Sequence, residues 1–226
     1  MNQSLLPPGY GADTWQNLAV RLTHLRNIGF NPISILDVGA HHGHWAVLVK
    51  WIWPTANLFL IEANEECRQR LTEVGFPFNI AVLGRQVNKT VFHKCQTGCT
   101  EGNSLFKENS IFPFITVDIE TKMLKTVVED RAFDFVKIDC QGAELDIIAG
   151  GEEIVKAAHV VLLETQIQDY NEGAPRAADV IARMSGLGFR LYDMVELHYN
   201  SRGMLLQMDL MFAREDSPLF RVRPLS

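Results

Sequence analysis

The sequence predicts an α/β protein built on a largely parallel sheet. Short, β-branched apolar runs alternate with segments whose apolar residues recur at helical spacing. A glycine-containing turn follows the first of these runs, and several later runs end in a carboxylate. This alternation of strand and helix requires right-handed crossovers between parallel strands. We therefore expect an open sheet with a ligand crevice at the carboxyl ends of its strands.

Composition predicts one domain and argues against several classes of function. The chain has 226 residues, of which 47% are hydrophobic and 21% charged, enough for one α/β core. We expect a single domain over residues 1–226, with a helical extension over 1–30, a core over 31–214 and a tail over 215–226. The net charge of −6 gives no electrostatic signature of a nucleic-acid partner.

The sequence also predicts a cytoplasmic protein with no membrane span. The amino terminus lacks a basic region followed by an apolar stretch, and no apolar run approaches the ~18 residues that a spanning helix needs. The four cysteines are unevenly scattered and form no C-x-x-C motif, which favours reduced thiols. The oligomeric state is left open.

The first half of the chain predicts a helix and then a strand–turn–helix unit. Apolar residues recur on one face of residues 14–27, which predicts a helix packed on an edge of the sheet. Residues 33–38 form a β-branched run typical of a buried parallel strand, and residues 45–52 follow as a helix. Residues 57–62 predict the second strand, which ends in Glu62.

The second half continues the same alternation. The predicted strands cover residues 76–83, 90–94, 132–139, 159–164, 188–192 and 205–212, and the predicted helices cover 65–74, a segment from 143, and 175–187. Glycine, serine and asparagine recur in residues 97–109, which predicts a mobile loop. This loop either lies over a ligand, as such loops often do in α/β enzymes, or is an ordinary surface excursion.

Carboxylates recur where the predicted strands end. Asp37, Glu62, Asp139 and Glu164 each lie at or near such an end. Any one of them alone is explained as a helix cap or a solvated loop charge. Because the carboxyl ends of parallel strands border the ligand crevice, their recurrence indicates a site.

The spacing around the first turn favours one nucleoside ligand over another. Glu62 lies about twenty residues beyond the glycine turn, where an acidic residue can accept hydrogen bonds from both ribose hydroxyls. The turn reads G-x-x-x-G behind Asp37, whereas a pyrophosphate-binding turn reads G-x-G-x-x-G and would suffer repulsion from that carboxylate. S-adenosylmethionine has a ribose and a cationic amino-acid end, and so meets both conditions. An NAD-dependent oxidoreductase and a non-catalytic nucleoside-binding sensor or subunit remain as alternatives.

Longer motifs carry a family resemblance. DVGAHHG, LIEAN, FNIAVLG, FDFVKIDCQGAELDIIAGG, VVLLET and LQMDLMFAR follow one another between about residues 33 and 214. Together they resemble the FkbM family of S-adenosylmethionine-dependent methyltransferases, and K-I-D-x-Q-G-A-E is the most specific of them. The resemblance implies a Rossmann-like class I methyltransferase fold, with a seven-stranded, mostly parallel sheet, an antiparallel last strand and helices on both faces. It also implies O-methylation of a hydroxyl on a sugar, glycan or other small molecule, with S-adenosylhomocysteine as the product.

The same resemblance assigns residues to the parts of the cofactor. It places Glu62 at the ribose, and Ser104 and Asp139 near the sulfonium. Around the methionine part it places Asp37, Gly39, Ala40, His41 and Gly43, and near the adenine it places Ala63, Asn64, Ala81 and Val82. His41 stands where the family usually has asparagine, and its imidazole is expected to titrate near neutral pH.

Candidate catalytic residues follow from the expected methyl transfer, which needs a group to orient the acceptor hydroxyl and accept its proton. Asp139 is the first candidate, and His41 and Glu164 are alternatives. The histidines 41, 42 and 44 are interpreted as turn and cap residues, because no second motif completes a metal site. A divalent cation between Asp139 and Glu164 is possible chemically, but a metal-free site is preferred.

Overall fold

The computed structural model describes residues 6–97 and 100–221. Its strands are β1 (Ser34–Val38), β2 (Asn57–Glu62), β3 (Phe78–Ile80), β4 (Lys89–Cys95), β5 (Phe114–Glu120), β6 (Phe135–Ile138), β7 (Val160–Gln166), β8 (Phe189–Tyr199) and β9 (Leu205–Arg214). Its α-helices are α1 (Ala12–Asn27), α2 (His44–Ile52), α3 (Arg68–Val74), α4 (Leu124–Val128), α5 (Glu144–Ala149), α6 (Glu152–Ala157) and α7 (Ala177–Gly186).

The main sheet has seven strands in the spatial order β3-β2-β1-β6-β7-β9-β8. The pairs from β3 to β7 are parallel, whereas β9 runs antiparallel to both β7 and β8. The order reverses between β1 and β6, so the crevice of this open sheet lies at their carboxyl ends. The predicted seven-stranded sheet with an antiparallel last strand is confirmed.

Helices cover both faces of the sheet. Residues that alternate along a strand point to opposite faces, so Ile35 joins one core cluster while Leu36 and Val38 join the other. The first cluster packs against α1 and α2, and the second packs against α4 to α7. The residues of both clusters are buried, and their packing holds the strands in place. The strand ends that form the site are therefore fixed relative to one another.

The amino-terminal helix packs as predicted, on an edge of the sheet. Leu18, Leu22 and Leu25 of α1 are fully buried, and the helix contacts α2 and the edge strand β8. At the other end, a 3₁₀ turn over Pro218–Phe220 brings Phe220 against Tyr192, with ring centroids 5.7 Å apart. Residues 222–226 of the predicted tail lie outside the described residues. Among the helices of residues 6–97 and 100–221, none is long and apolar enough to cross a bilayer.

The structure differs from the sequence prediction in several elements, among them the helix α6, which was not predicted. The strand predicted at residues 90–94 forms, as β4, but it pairs antiparallel with β5 in a separate two-stranded sheet. Neither β5 nor the short helix α4 was predicted, and most of β5 is exposed, so it lacks the apolar run of a core strand. Strand β8 extends seven residues beyond the predicted end at 192, because its long pairing with β9 continues through several register shifts to Tyr199.

Candidate functional site

A cavity of about 660 Å³ lies at the carboxyl ends of the central strands. The loops after β1, β2 and β6 line it, together with the ends of β7, β8 and β9. Residues 100–105 and the first turns of α1 complete its wall. Of the two interpretations of residues 97–109, the structure therefore supports the loop that borders the cavity.

Gly39 allows the tips of β1 and β6 to approach each other. Its φ is +80°, and a Cβ atom there would lie 1.8 Å from the backbone oxygen of Asp139. A side chain would therefore clash with backbone as well as strain the turn. The backbone N–H groups of Gly39 and Ala40 donate to the Ile61 carbonyl at 2.9 and 3.1 Å, which joins the turn to β2. Gly43 ends the turn at φ +77°, with Val74 packed close behind it.

His41 links the turn to the loop across the cavity. Its backbone N–H donates to Glu62 Oε2 at 2.7 Å, and its Nε2 lies 2.7 Å from the Thr100 hydroxyl. Burial, assisted by the neighbouring His42, lowers the pKa of His41 to about 4. The expectation that it titrates near neutral pH is therefore wrong, because a half-buried imidazole beside other imidazoles disfavours its charged form.

Glu62 is a carboxylate held in place by backbone donors. Its side chain lines the cavity although the residue is only 8% exposed. Oε2 accepts the His41 N–H and Oε1 accepts the Asn64 N–H, both at 2.7 Å. Each oxygen retains a second lone pair for a ligand hydroxyl. Burial raises the pKa of Glu62, although these backbone donors oppose the shift.

The predicted adenine residues divide into two groups. Ala63, Ala81 and Val82 line the cavity and give it an apolar wall beside Glu62. Asn64 instead lies behind Glu62, where its Oδ1 accepts the Glu66 N–H at 3.3 Å and caps a 3₁₀ turn. Its contribution to the site is therefore structural support of the loop after β2.

Asp37 lies below the cavity floor. It is fully buried and pairs with Lys137, with 3.4 Å between Oδ1 and Nζ. The register explains this pair, because Asp37 and Lys137 are cross-strand partners in β1 and β6. Among the described residues, Asp37 Oδ2 has no hydrogen-bond partner. Asp37 thus contacts Lys137, which lines the cavity, and its place beside the methionine part of the cofactor stays a prediction.

Lys137 is a site residue that the sequence analysis missed. Its Nζ also lies 3.2 Å from Asp139 Oδ2, so one buried ammonium joins two carboxylates. Burial alone would lower the pKa of Lys137, but Asp139 and Asp37 outweigh it and raise that pKa. A lysine in the middle of the apolar run FVKI was the signal available in the sequence, since buried lysines require a partner.

Asp139 and Glu164 meet at the crevice, as their positions at neighbouring strand ends predicted. Gln141 Nε2 donates to both, at 3.4 Å to Asp139 Oδ1 and 2.5 Å to Glu164 Oε2. Burial would raise the pKa of Asp139, but the Lys137 ammonium outweighs it and holds that pKa below its usual value. Burial and then the charge of Asp139 raise the pKa of Glu164 well above its usual range. These opposite shifts favour the ionised form of Asp139 and the protonated form of Glu164.

Ser104 fastens the cavity loop to the turn after β6. Its hydroxyl lies 2.8 Å from the Gln141 carbonyl and 3.1 Å from the Cys140 carbonyl, and accepts the Phe106 N–H at 3.1 Å. The residue is 1% exposed. Ser104 thus holds this part of the cavity wall in place, and its position near the sulfonium of the cofactor stays a prediction.

Strands β8 and β9 add polar side chains that the sequence analysis did not predict. Glu196, His198, Gln207 and Asp209 all line the cavity. Gln207 Nε2 donates to Glu164 Oε2 at 3.0 Å, and His198 Nε2 lies 3.5 Å from Asp209 Oδ1. These residues lie on the extended part of β8 and opposite it on β9, so they could be found only once the register of that pair was known.

Solved structures with the same general fold share little sequence with this chain. A precorrin-6Y C5,15-methyltransferase from Geobacter metallireducens GS-15 is 14% identical over 88% of this chain and 87% of its own, with a TM-score of 0.49. A putative RNA methyltransferase from Pyrococcus horikoshii is 13% identical, with 96% and 90% of the two chains covered and a TM-score of 0.47. The magnesium protoporphyrin IX methyltransferase from Synechocystis PCC 6803, solved with bound SAM, is 12% identical over 93% and 88%, with a TM-score of 0.46. Similarity at this level carries no conclusion about cofactor or substrate.

The sequence itself gives a closer relationship. No curated protein sequence matches the chain. The family model described as the methyltransferase FkbM domain matches residues 37–191, which is more than half of the chain and contains the glycine turn, Glu62, Asp139 and Glu164. The chain belongs to the FkbM methyltransferase family.

Proposed function

We propose that this protein is an S-adenosylmethionine-dependent methyltransferase that methylates a hydroxyl oxygen of a sugar, a glycan or another small molecule. One observation carries the proposal. Glu62 presents a buried carboxylate to the cavity, and backbone N–H groups from the loops after β1 and β2 fix both of its oxygens. A carboxylate held in this way is suited to accept hydrogen bonds from the two neighbouring hydroxyls of a ribose.

The other residues of the cavity fit the remaining parts of S-adenosylmethionine. Ala63, Ala81 and Val82 offer an apolar surface for the adenine. In the described part of the chain, Trp45 Nε1 and Asn103 Nδ2 are buried donors without a protein partner, and both residues line the cavity. Such donors suit the carboxylate of the cofactor's amino-acid end, since buried polar groups otherwise remain unpaired at a cost. The carboxylates at the strand ends suit its cationic groups.

Asp139 is the group best placed to handle the acceptor proton. Bound S-adenosylmethionine supplies an electrophilic methyl group on a sulfonium centre. Lys137 contacts Asp139 Oδ2 and favours the ionised carboxylate, and Asp139 Oδ1 keeps a lone pair for an acceptor hydroxyl beside the long contact with Gln141. Asp139 would orient that hydroxyl and accept its proton as the new carbon–oxygen bond forms and the sulfur–carbon bond breaks.

The two alternative bases are less suited to this role. Burial and the charge of Asp139 raise the pKa of Glu164 and favour its protonated form, which must lose a proton before it can accept one. His41 is neutral, but its Nε2 is engaged by the Thr100 hydroxyl. The Gln141 amide hydrogen-bonds to both Asp139 and Glu164, which argues against a divalent cation between these two carboxylates.

Two measurements test the proposal. Calorimetric titrations with S-adenosylmethionine, S-adenosylhomocysteine and NAD⁺ should give binding of the first two and none of the third. Binding of NAD⁺ alone would instead support the oxidoreductase. Incubation with methyl-labelled S-adenosylmethionine and a panel of sugars, glycans and other hydroxyl compounds should then transfer label to one class.

The same experiment separates an enzyme from a sensor and tests the acceptor class. If the cofactor binds but no acceptor gains label, the result would support the non-catalytic nucleoside-binding protein. An RNA panel belongs in the assay, because the exclusion of nucleic acid stays a prediction from net charge. Transfer to RNA and not to small hydroxyl compounds would contradict the proposed acceptor class.

A further inference from the structure

Three side chains meet at the rim formed by β7, β8 and β9, and two of them, His198 and Asp209, have no role in the proposed function. Glu164, His198 and Asp209 each offer one ligand atom, and these atoms lie within 4.8 Å of one another. The sheet register brings them together, because Glu164 and Asp209 are direct cross-strand partners. His198 lies on the neighbouring strand with its Nε2 3.5 Å from Asp209 Oδ1. All three line the cavity.

The spacing of these atoms suits a metal ion. Two ligand atoms bound about 2.1 Å from one ion lie roughly 3.0 to 4.2 Å apart, depending on the angle between them. The 3.5 Å between His198 Nε2 and Asp209 Oδ1 falls within this range. The carboxylate oxygen of Glu164 lies within 4.8 Å of both atoms, so only a small movement of this side chain is needed to reach the same ion. Gln207 Nε2 and Gln141 Nε2 both donate to Glu164 Oε2, at 3.0 and 2.5 Å, and these bonds orient the carboxylate.

Carboxyl groups outnumber the basic groups around His198. Lys137 is already engaged by Asp37 at 3.4 Å and by Asp139 at 3.2 Å. The carboxyl groups of Glu164, Asp209 and the adjacent Glu196 lie around one imidazole, that of His198, whereas the other histidines of the described cavity wall lie at the turn after β1 and the start of α2. Asp209 is only 8% exposed, so water compensates little of its charge.

We propose that Glu164, His198 and Asp209 bind a divalent transition-metal ion. One imidazole and two carboxylates favour Mn²⁺, Fe²⁺ or Zn²⁺ over Ca²⁺. Three protein ligands leave coordination positions open toward the cavity, where two neighbouring oxygens of a polyhydroxyl acceptor fit. This second role, orientation of the acceptor, rests on the proposed methyltransferase function, whereas binding of the ion does not.

Mn²⁺ titrated calorimetrically into the EDTA-treated and desalted full chain tests the site. The wild type should bind one Mn²⁺ per chain, and His198→Gln and Asp209→Asn should each weaken that binding by more than about tenfold. His24→Gln and Asp118→Asn are matched controls, because both residues are exposed and neither lies in the cavity wall. Thermal unfolding of each variant without metal checks that it is folded. His198 is 42% exposed at its side chain, so its replacement leaves the core intact.

Two results would overturn the metal site. One is a wild type that binds Mn²⁺ no more tightly than about 1 mM. The other is a folded His198→Gln protein whose Mn²⁺ affinity equals that of the wild type. A parallel titration with S-adenosylhomocysteine in EDTA keeps the two proposals separate. Cofactor binding without Mn²⁺ binding would remove the metal site and leave the methyltransferase, and Mn²⁺ binding without cofactor binding would do the reverse.

Discussion

Replacement of Glu62 by glutamine is the substitution that most sharply separates cofactor binding from structure. The carboxylate accepts one backbone N–H at each oxygen, from His41 and from Asn64. Glutamine keeps the length and shape of the side chain but has one acceptor oxygen in place of two. Its NH₂ group would face one of these backbone N–H groups and could not accept from it. The change therefore removes both the charge and one fixed contact.

The structure allows the losses of stability and of cofactor affinity in Glu62→Gln to be estimated separately. One buried N–H left without an acceptor should lower the free energy of unfolding of the ligand-free protein by about 1 to 3 kcal/mol. Loss of hydrogen bonds from ribose hydroxyls to a charged acceptor, worth about 1.5 to 3 kcal/mol each and overlapping, should weaken S-adenosylhomocysteine binding by about 2 to 4 kcal/mol. That corresponds to a roughly 30- to 1,000-fold higher Kd.

Calorimetry with S-adenosylhomocysteine measures the affinity, and urea unfolding measures the stability. Glu65→Gln is the matched control, because Glu65 is exposed on the same loop and its loss should change neither quantity by much. Because burial raises the pKa of Glu62, wild-type affinity should fall on acidification from a higher pH than for an ordinary glutamate, and the Glu62→Gln protein should lack this dependence. A folded Glu62→Gln protein that binds the ligand within about threefold of the wild type would refute the role of Glu62.

Three further substitutions probe the chemistry, the turn and the buried acid of the following helix. Asp139→Asn should lower turnover on the true acceptor by a factor of about 10² to 10⁴. Its affinity for S-adenosylhomocysteine, measured by calorimetry, should change by less than about tenfold. Near-normal turnover would exclude Asp139 as the base. Gly39→Ala should lower the free energy of unfolding in urea by more than about 3 kcal/mol, because the new Cβ would clash with the Asp139 carbonyl. Gly203 also has a positive φ but has open space around it, so Gly203→Ala should lower that free energy by only about 1 kcal/mol. Equal losses in the two variants would contradict the close approach at Gly39. Burial raises the pKa of Glu144 from 4.5 to about 7, so its contribution to stability is present below pH 4.5 and lost as the pH rises to about 7. Urea unfolding should therefore find Glu144→Gln more stable relative to the wild type at about pH 8 than at about pH 4, by about 3 kcal/mol, and no change in this difference would contradict the shifted pKa.

The parts of the site that the sequence predicted are those that depend on strand ends alone. Residues at the carboxyl ends of neighbouring parallel strands must meet at one edge, so Asp139 and Glu164 could be placed together before the structure was known. Glu62 followed from the same rule and from its distance to the glycine turn. These inferences need only the order of elements and no side-chain geometry.

The missed residues depend on register and on alternation. The pair that Asp37 forms with Lys137 across β1 and β6, in which both side chains are buried, depends on a register that the sequence does not reveal. His198 and Asp209 reach the cavity only because β8 runs to Tyr199 through several register shifts, which the sequence does not reveal.

His41 illustrates a backbone constraint that the sequence analysis left out. Its φ is +47°, in the left-handed region that asparagine tolerates better than most residues do. The asparagine usual in the family is explained by this backbone conformation. His41 accepts the same strain, and its contact with Thr100 offsets part of the cost.

The most direct test of the account is a crystal structure of the complex with S-adenosylhomocysteine. Both ribose hydroxyl oxygens should lie about 2.5 to 3.0 Å from the Glu62 carboxylate oxygens, with the adenine against Ala81 and Val82 and the sulfur turned toward Asp139. A ligand bound in this cavity with its ribose more than about 4 Å from Glu62, or bound outside the cavity altogether, would contradict it.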